Sequence, residues 1–192
     1  MSTEPPPPAP VLPPHRTALW KKILLILAVM VIAFVTIVMM QPDSYSVTRS
    51  LAMAAPPAKP FEQVNDFHNW AKWSPWEKLD PDMKRIFDGP ASGAGASYAW
   101  VGNDQVGEGK MTILESKPND KIVIRLEFIK PFPSTSTTEF TFKPEGSGTN
   151  VIWTMSGENN FLSKAFQLFM KMDTMIGPDF EKGLAEMKKV VE

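Results

Sequence analysis

The chain has 192 residues, room for one domain of ordinary size plus appendages. Its net charge of −1 offers no global field for nucleic acid, and setting aside Arg16, Lys21, Lys22 and Glu4 leaves 17 basic and 20 acidic residues after position 42, a slightly acidic body. With no cysteine there is no disulfide, thiolate nucleophile or zinc-thiolate site, and with only His15 and His68 a multi-histidine metal centre is all but excluded.

Residues 1–14 contain seven of the nineteen prolines. Proline lacks a donor N–H and fixes φ, so 1–17 is expected to be a disordered, solvated tail. From 23 to 40 there are eighteen consecutive uncharged residues rich in Ile, Leu, Val and Met. As a helix this run spans about 27 Å, and with its flanks, over 18–41, it reaches the roughly 30 Å of a bilayer core. The apolar run exceeds the roughly 7–15 residues of a cleaved signal, and no small-residue cleavage motif follows at once, so an uncleaved transmembrane helix is expected. Arg16, Lys21 and Lys22 precede it, whereas only Asp43 and Arg49 follow closely. That asymmetry puts the N-terminus in the cytoplasm. A single-pass protein of the bacterial cytoplasmic (inner) membrane is expected, its folded domain, 44–192, periplasmic or extracellular.

In the domain, 45–51 alternates as a first strand. Ala54-Ala55-Pro56-Pro57 ends it, and Phe61, Val64 and Phe67 make a short helical stripe. Trp70, Trp73 and Trp76 then fall within seven residues, a cluster suited to a core corner or a pocket rim because each ring buries a large area while its N–H needs a partner. Six further strands follow at 83–88, 96–101, 107–116, 121–128, 134–143 and 150–156, separated by turns at hairpin spacing, which predicts an antiparallel meander. Residues 161–191 carry Leu162, Ala165, Phe169, Met172, Ile176, Phe180, Leu184, Met187 and Val191 at helical steps, a stripe that must lie on the sheet. One straight helix here would be roughly 50 Å long and would overhang the domain. Gly177-Pro178 predicts a kink or brief break.

The order of strand, short helices, six strands and long helix, together with Asp66-Phe67-His68-Asn69-Trp70, Trp73-Ser74-Pro75-Trp76, Gly102-Asn103 and the stretch 172–184, resembles the SRPBCC superfamily over about 45–192. More narrowly it resembles bacterial polyketide cyclase/dehydrase-like proteins of the START and birch-pollen-allergen helix-grip fold. The resemblance implies an α+β domain in which a seven-stranded curved antiparallel sheet, with short helices after strand 1, grips a long kinked C-terminal helix. It also implies a small hydrophobic ligand, lipid-like or polyketide-like, between sheet and helix. Only some members of the superfamily are enzymes, and the N-terminal span is absent from the soluble cyclases.

On that frame the ligand-binding candidates are Trp70, Trp73, Trp76, Tyr98, Trp100, Met111, Leu126, Phe128, Phe140, Trp153 and Met155, with Phe169, Met172 and Ile176 from the helix; a solid core is the alternative for each. Asp173 is open to two readings, a general base with its pKa raised by desolvation or a structural or exposed helix charge. His68 is either an acid–base group at a pocket mouth or a surface residue. No paired carboxylates, nucleophile with its base, metal-ligand spacing or phosphate loop is recognisable. No cofactor is expected. The leading expectation is a membrane-anchored module for an apolar ligand; the alternatives are a cyclase/dehydrase-type enzyme and a protein-interaction module using the loop 70–76.

Overall fold

The computed structural model describes residues 17–192, which form two units, one ending at Gln41 and the other Pro42–Glu192. The expected proline-rich tail falls outside the described residues, except that Thr17 opens the first helix.

In the first unit, α1 (Thr17–Met39) is long and apolar enough to cross a membrane. Its Leu, Ile, Val and Met side chains are exposed along most of its length. The hydroxyl of Thr36 donates to the carbonyl of Ile32 (2.8 Å), so this polar group is satisfied within the helix.

The second unit opens with β1 (Ser44–Met53), α2 (Ala58–Asn65) and two 3-10 turns, Phe67–Lys72 and Pro75–Lys78. The strands β2 (Lys84–Asp88), β3 (Ser97–Val101), β4 (Glu108–Lys117), β5 (Lys121–Lys130), β6 (Ser134–Glu145) and β7 (Gly148–Glu158) follow, then α3 (Phe161–Gln167) and α4 (Met172–Val191). All seven strands join one antiparallel sheet in the order β1-β7-β6-β5-β4-β3-β2: a meander from β2 to β7, with β1 added beside β7. A register shift in β4 leaves Leu114 unpaired between Ile113 and Glu115. An extra residue of this kind bends its strand, which helps the sheet to curve.

Alternation decides the concave face. Val47, Ile124, Phe140, Phe142, Val151 and Trp153 point inward and are buried, and Phe180, Leu184, Met187 and Val191 of α4 close over them. Phe61 of α2 seals the far end, edge-on to Phe142 at 5.5 Å.

The C-terminal segment departs from the sequence expectation in one respect. Its break falls at 168–171, whereas α4 continues through Pro178. The carbonyl deprived of a donor by Pro178 belongs to Thr174, an exposed residue, so the lost bond leaves no buried orphan. Lys171 instead adopts an extended conformation (φ −74°, ψ 137°) and resets the helical phase. The apolar stripe therefore seats only in part: Phe180 to Val191 are buried, while Leu162 and Phe169 are 69% and 80% exposed.

Candidate functional site

The tryptophan cluster is built by short-range hydrogen bonding. Asp66 caps the first 3-10 turn, its carboxylate accepting from the backbone N–H of His68 at 2.9 Å. The turn then aims two indoles back at the end of α2. Trp70 Nε1 donates to the Val64 carbonyl (3.2 Å) and Trp73 Nε1 to the Gln63 carbonyl (3.0 Å). Both rings are buried, so their polar edges are spent within the fold and neither presents itself to a partner protein. Pro75 starts the second turn and brings Trp76 edge-on to Trp153 (5.8 Å) and Phe180 (6.2 Å). Trp153 and Phe180 stack flat at 4.0 Å, joining sheet to helix.

Beside this stack lies a cavity of about 280 Å³ under the first half of α4. Ten of the predicted residues line it: Trp70, Trp76, Tyr98, Trp100, Met111, Leu126, Phe128, Trp153, Met155 and Ile176. The other four lie elsewhere. Trp73 and Phe140 are fully buried in the core, Met172 packs on the core's edge and Phe169 faces solvent beyond the break in the helix.

Sequence reasoning missed Ser74, Glu77, Met83, Gln105, Val106, Thr138 and Phe180 as lining residues. Two carried a signal: Phe180 belongs to the helical stripe, and Thr138 shares the inward face of β6 with Phe140 and Phe142. The turn residues Gln105 and Val106 carried none. Trp100 reaches them, its Nε1 donating to the Val106 carbonyl at 2.9 Å. Its ring crosses β4 where Gly109 has no side chain, and a Cβ there would overlap the ring.

The cavity wall is mostly apolar, with Ser74, Gln105 and Thr138 as neutral polar residues and one charged side chain. The carboxylate of Glu77 is nearly buried; Oε1 accepts from the phenol of Tyr98 at 2.6 Å and Oε2 from Arg85 Nε at 2.7 Å. Arg85 Nη1 donates onward to the Met83 carbonyl at 2.9 Å. Opposite charges in contact let this group sit at an apolar wall without an unpaired ion. Burial, followed by the neighbouring Glu77 carboxylate, pushes the Tyr98 phenol well above the ordinary tyrosine range. At neutral pH the phenol keeps its proton and donates a hydrogen bond to Glu77.

The two acid–base candidates lie outside this cavity. Asp173 is exposed and binds Arg49: Nη1 to Oδ1 is 2.7 Å and Nη2 to Oδ2 is 3.2 Å. The Arg49 hydrogen bonds hold its carboxyl below the usual range, opposite to the rise expected of a desolvated base. The ring of His68 stacks on Phe87 at 4.0 Å, and its Nδ1 lies 2.7 Å from Asp66 Oδ1. It borders a separate hollow of about 80 Å³ near the β2–β3 turn.

A curved sheet closed by a C-terminal helix over an apolar cavity defines a helix-grip, cavity-bearing domain of the SRPBCC superfamily. The chain belongs to the family described as polyketide cyclase / dehydrase and lipid transport, whose model matches residues 44–192. No curated protein matches the sequence. Among solved structures, a protein from Chromobacterium violaceum is similar with a TM-score of 0.55 at 16% identity, over 79% of this chain and 98% of that one. A protein from Mesorhizobium loti gives 0.56 at 16%, over 76% and 96%. The di-domain ARO/CYC StfQ from the steffimycin biosynthetic pathway gives 0.58 at 11%, over 77% and 50%. At these identities the likeness is one of fold.

Proposed function

We propose that residues 44–192 form a binding module for a small, largely apolar molecule, held at the outer face of the bacterial cytoplasmic membrane by a transmembrane helix over 18–41 with the N-terminus inside. The observation that carries the reading is the cavity itself. Its volume of about 280 Å³ lies near the lower end, about 300 Å³, of small-molecule sites and well above the ~150 Å³ that accepts benzene. Four of the six tryptophans and three methionines, Met83, Met111 and Met155, line it, an apolar surface that adapts to shape. A compact hydrophobic ligand, or one segment of a longer chain, is the size it takes. Glu77 adds an acceptor for a ligand hydroxyl. Support for the anchor is the length and exposed apolar surface of α1 and the bias of Arg16, Lys21 and Lys22 to its N-terminal side.

The test is extraction of the full chain in mild detergent and mass spectrometry of co-purified small molecules, in parallel with a Leu126→Trp variant that fills the cavity. A species enriched with the wild type and lost from the variant is expected. Equal recovery from both would refute the cavity as the site.

A second reading, an enzyme of cyclase or dehydrase type, is favoured by the Glu77–Tyr98 pair at the wall. There the acid–base work would fall to Glu77, with Tyr98 as a fixed hydrogen-bond donor, and not to Asp173 or His68. Turnover of a polyketide-like substrate abolished by Glu77→Gln, with binding retained, would select it.

A further inference from the structure

One end of the domain collects apolar side chains that the fold leaves unsealed. The chain enters there at Pro42-Asp43, and pairing of Ser44 with Glu158 brings the end of β7 and the start of α3 alongside. Asn159 ties them together, its backbone N–H donating to the Asp43 carbonyl (2.7 Å) and its Nδ2 to that of Pro42 (3.1 Å). Lys164 of α3 makes an ion pair with Asp43. Pairing of Ser136 with Gly157 and of Glu108 with Lys130 sets the β5–β6 loop and the β3–β4 turn at the same end.

The exposed apolar residues concentrate here. Phe161, Leu162 and Phe166 project from α3, Phe169 and Met170 from the break after it, and Phe132 from the loop Lys130-Pro131-Phe132-Pro133. Phe132 and Phe169 are 73% and 80% exposed, values at odds with a surface meant for water. The opposite end, with the β4–β5 and β6–β7 turns, has Lys117, Asn119, Asp120, Glu145 and Ser147 in its loops. The asymmetry therefore lies along the strand axis.

We infer that this end of the domain inserts its apolar side chains into the interfacial layer of a lipid bilayer, with α3 lying in the plane of the interface. Covalent geometry supplies the partner. Only Met40 and Gln41 separate the end of α1 from Pro42, so the chain enters the domain within about 10 Å of the end of that helix. A short helix with Phe161, Leu162 and Phe166 on one side, Lys164 tied to Asp43 on the other and Lys171 just beyond its end is a form suited to that layer. Gln105 and Val106, in the β3–β4 turn at this same end, line the cavity, and Ile176 lines it from the first turns of α4 just after the break. The docked end thus includes cavity wall. The ligand class becomes a lipid-phase molecule exchanged with the bilayer and not with bulk water. This rests on the anchored-module reading above for the nearness of a bilayer and for the identity of the ligand; the docking itself is separately measurable.

The absence of native cysteine makes the experiment direct. Single substitutions Phe132→Cys, Leu162→Cys and Phe169→Cys, all at exposed positions, are labelled with an environment-sensitive fluorophore in the full chain and reconstituted into phosphatidylcholine vesicles bearing lipid spin-label quenchers. Ile37→Cys in α1 and Ser147→Cys at the far end serve as references. Docking requires a blue-shifted emission at 132, 162 and 169, quenched severalfold more than at 147 and more strongly by a quencher near the headgroup than by one near the chain end. Quenching at those three positions equal to that at 147 overturns the proposal, including the case in which they are shielded by another protein or a second copy and not by lipid. Position 37 reports separately on the anchor, so failure of docking and failure of anchoring give different patterns.

Discussion

The guanidinium of Arg49 on β1 lies directly against Gly177, where α4 presents no side chain, and a Cβ at that position would overlap it. From this seat Arg49 bonds two carboxylates, one about a turn to each side of Gly177: Asp173 through Nη1 and Nη2 and Glu181 through Nε at 2.6 Å. Gly177 is therefore the opening through which the sheet's edge strand grips α4. It sits next to Pro178 for a packing reason, and α4 continues through both residues.

The first prediction concerns that opening. Alanine should favour a helix over glycine by about 1 kcal/mol. Gly177→Ala is nonetheless expected to lower the urea midpoint, because the methyl group displaces the Arg49 guanidinium. In an Arg49→Ala background the same change should raise the midpoint. Additive effects in that double-mutant cycle would refute the clamp.

Asp173 has its pKa depressed by Arg49 in the folded chain. The sign follows: a depressed folded pKa contributes stability that is present above the unfolded value, near 3.9, and lost as pH falls through the folded one. The stability difference between wild type and Asp173→Asn should thus be constant from neutral pH down to about pH 4 and shrink below it. A difference unchanged at pH 3 would count against the pairing.

Tyr98 is shifted the other way. Its folded phenol stays protonated above the unfolded value near 10, so the unfolded chain ionises first and stability falls as pH rises beyond that point. Tyr98→Phe should flatten this alkaline loss. At neutral pH it should cost about 1.5–3 kcal/mol, the typical worth of a hydrogen bond to a charged group. Chemical denaturation across the alkaline range measures both.

Filling the cavity should separate binding from folding. Leu126→Trp adds volume beside Met111 and Phe128 and is expected to weaken uptake of a fluorescent apolar dye at least about tenfold, a loss of about 1.4 kcal/mol. Far-ultraviolet circular dichroism should be unchanged. In wild type the same dye should quench emission from Trp76, Trp100 and Trp153, and dye binding without quenching would place it elsewhere.

Several features were legible without coordinates because they depend on neighbours in sequence. Turn signals, with period-two alternation in several of the runs, marked all seven strands, and seven of the ten predicted residues that line the cavity lie on strands, where the inward set is fixed by parity. The helical residues were read less well. Phe169 fits the stripe by spacing alone, but one extended residue, Lys171, resets the phase and turns it outward. Glu77 was illegible for another reason: a carboxylate beside a tryptophan in a turn becomes part of a cavity wall only when Arg85 of β2 arrives to neutralise it and Tyr98 of β3 to donate to it.

The sequence by itself determined the class of fold, the strands and their inward faces, and an apolar helix of membrane-spanning length, since each is written in local periodicity and composition. Only the tertiary structure decided where the terminal helix breaks, that Arg49 holds Asp173, that Glu77 belongs to the cavity, and that the unsealed apolar residues gather where the chain enters the domain. Those outcomes depend on contacts between residues far apart in the chain, whose free energies no local pattern contains.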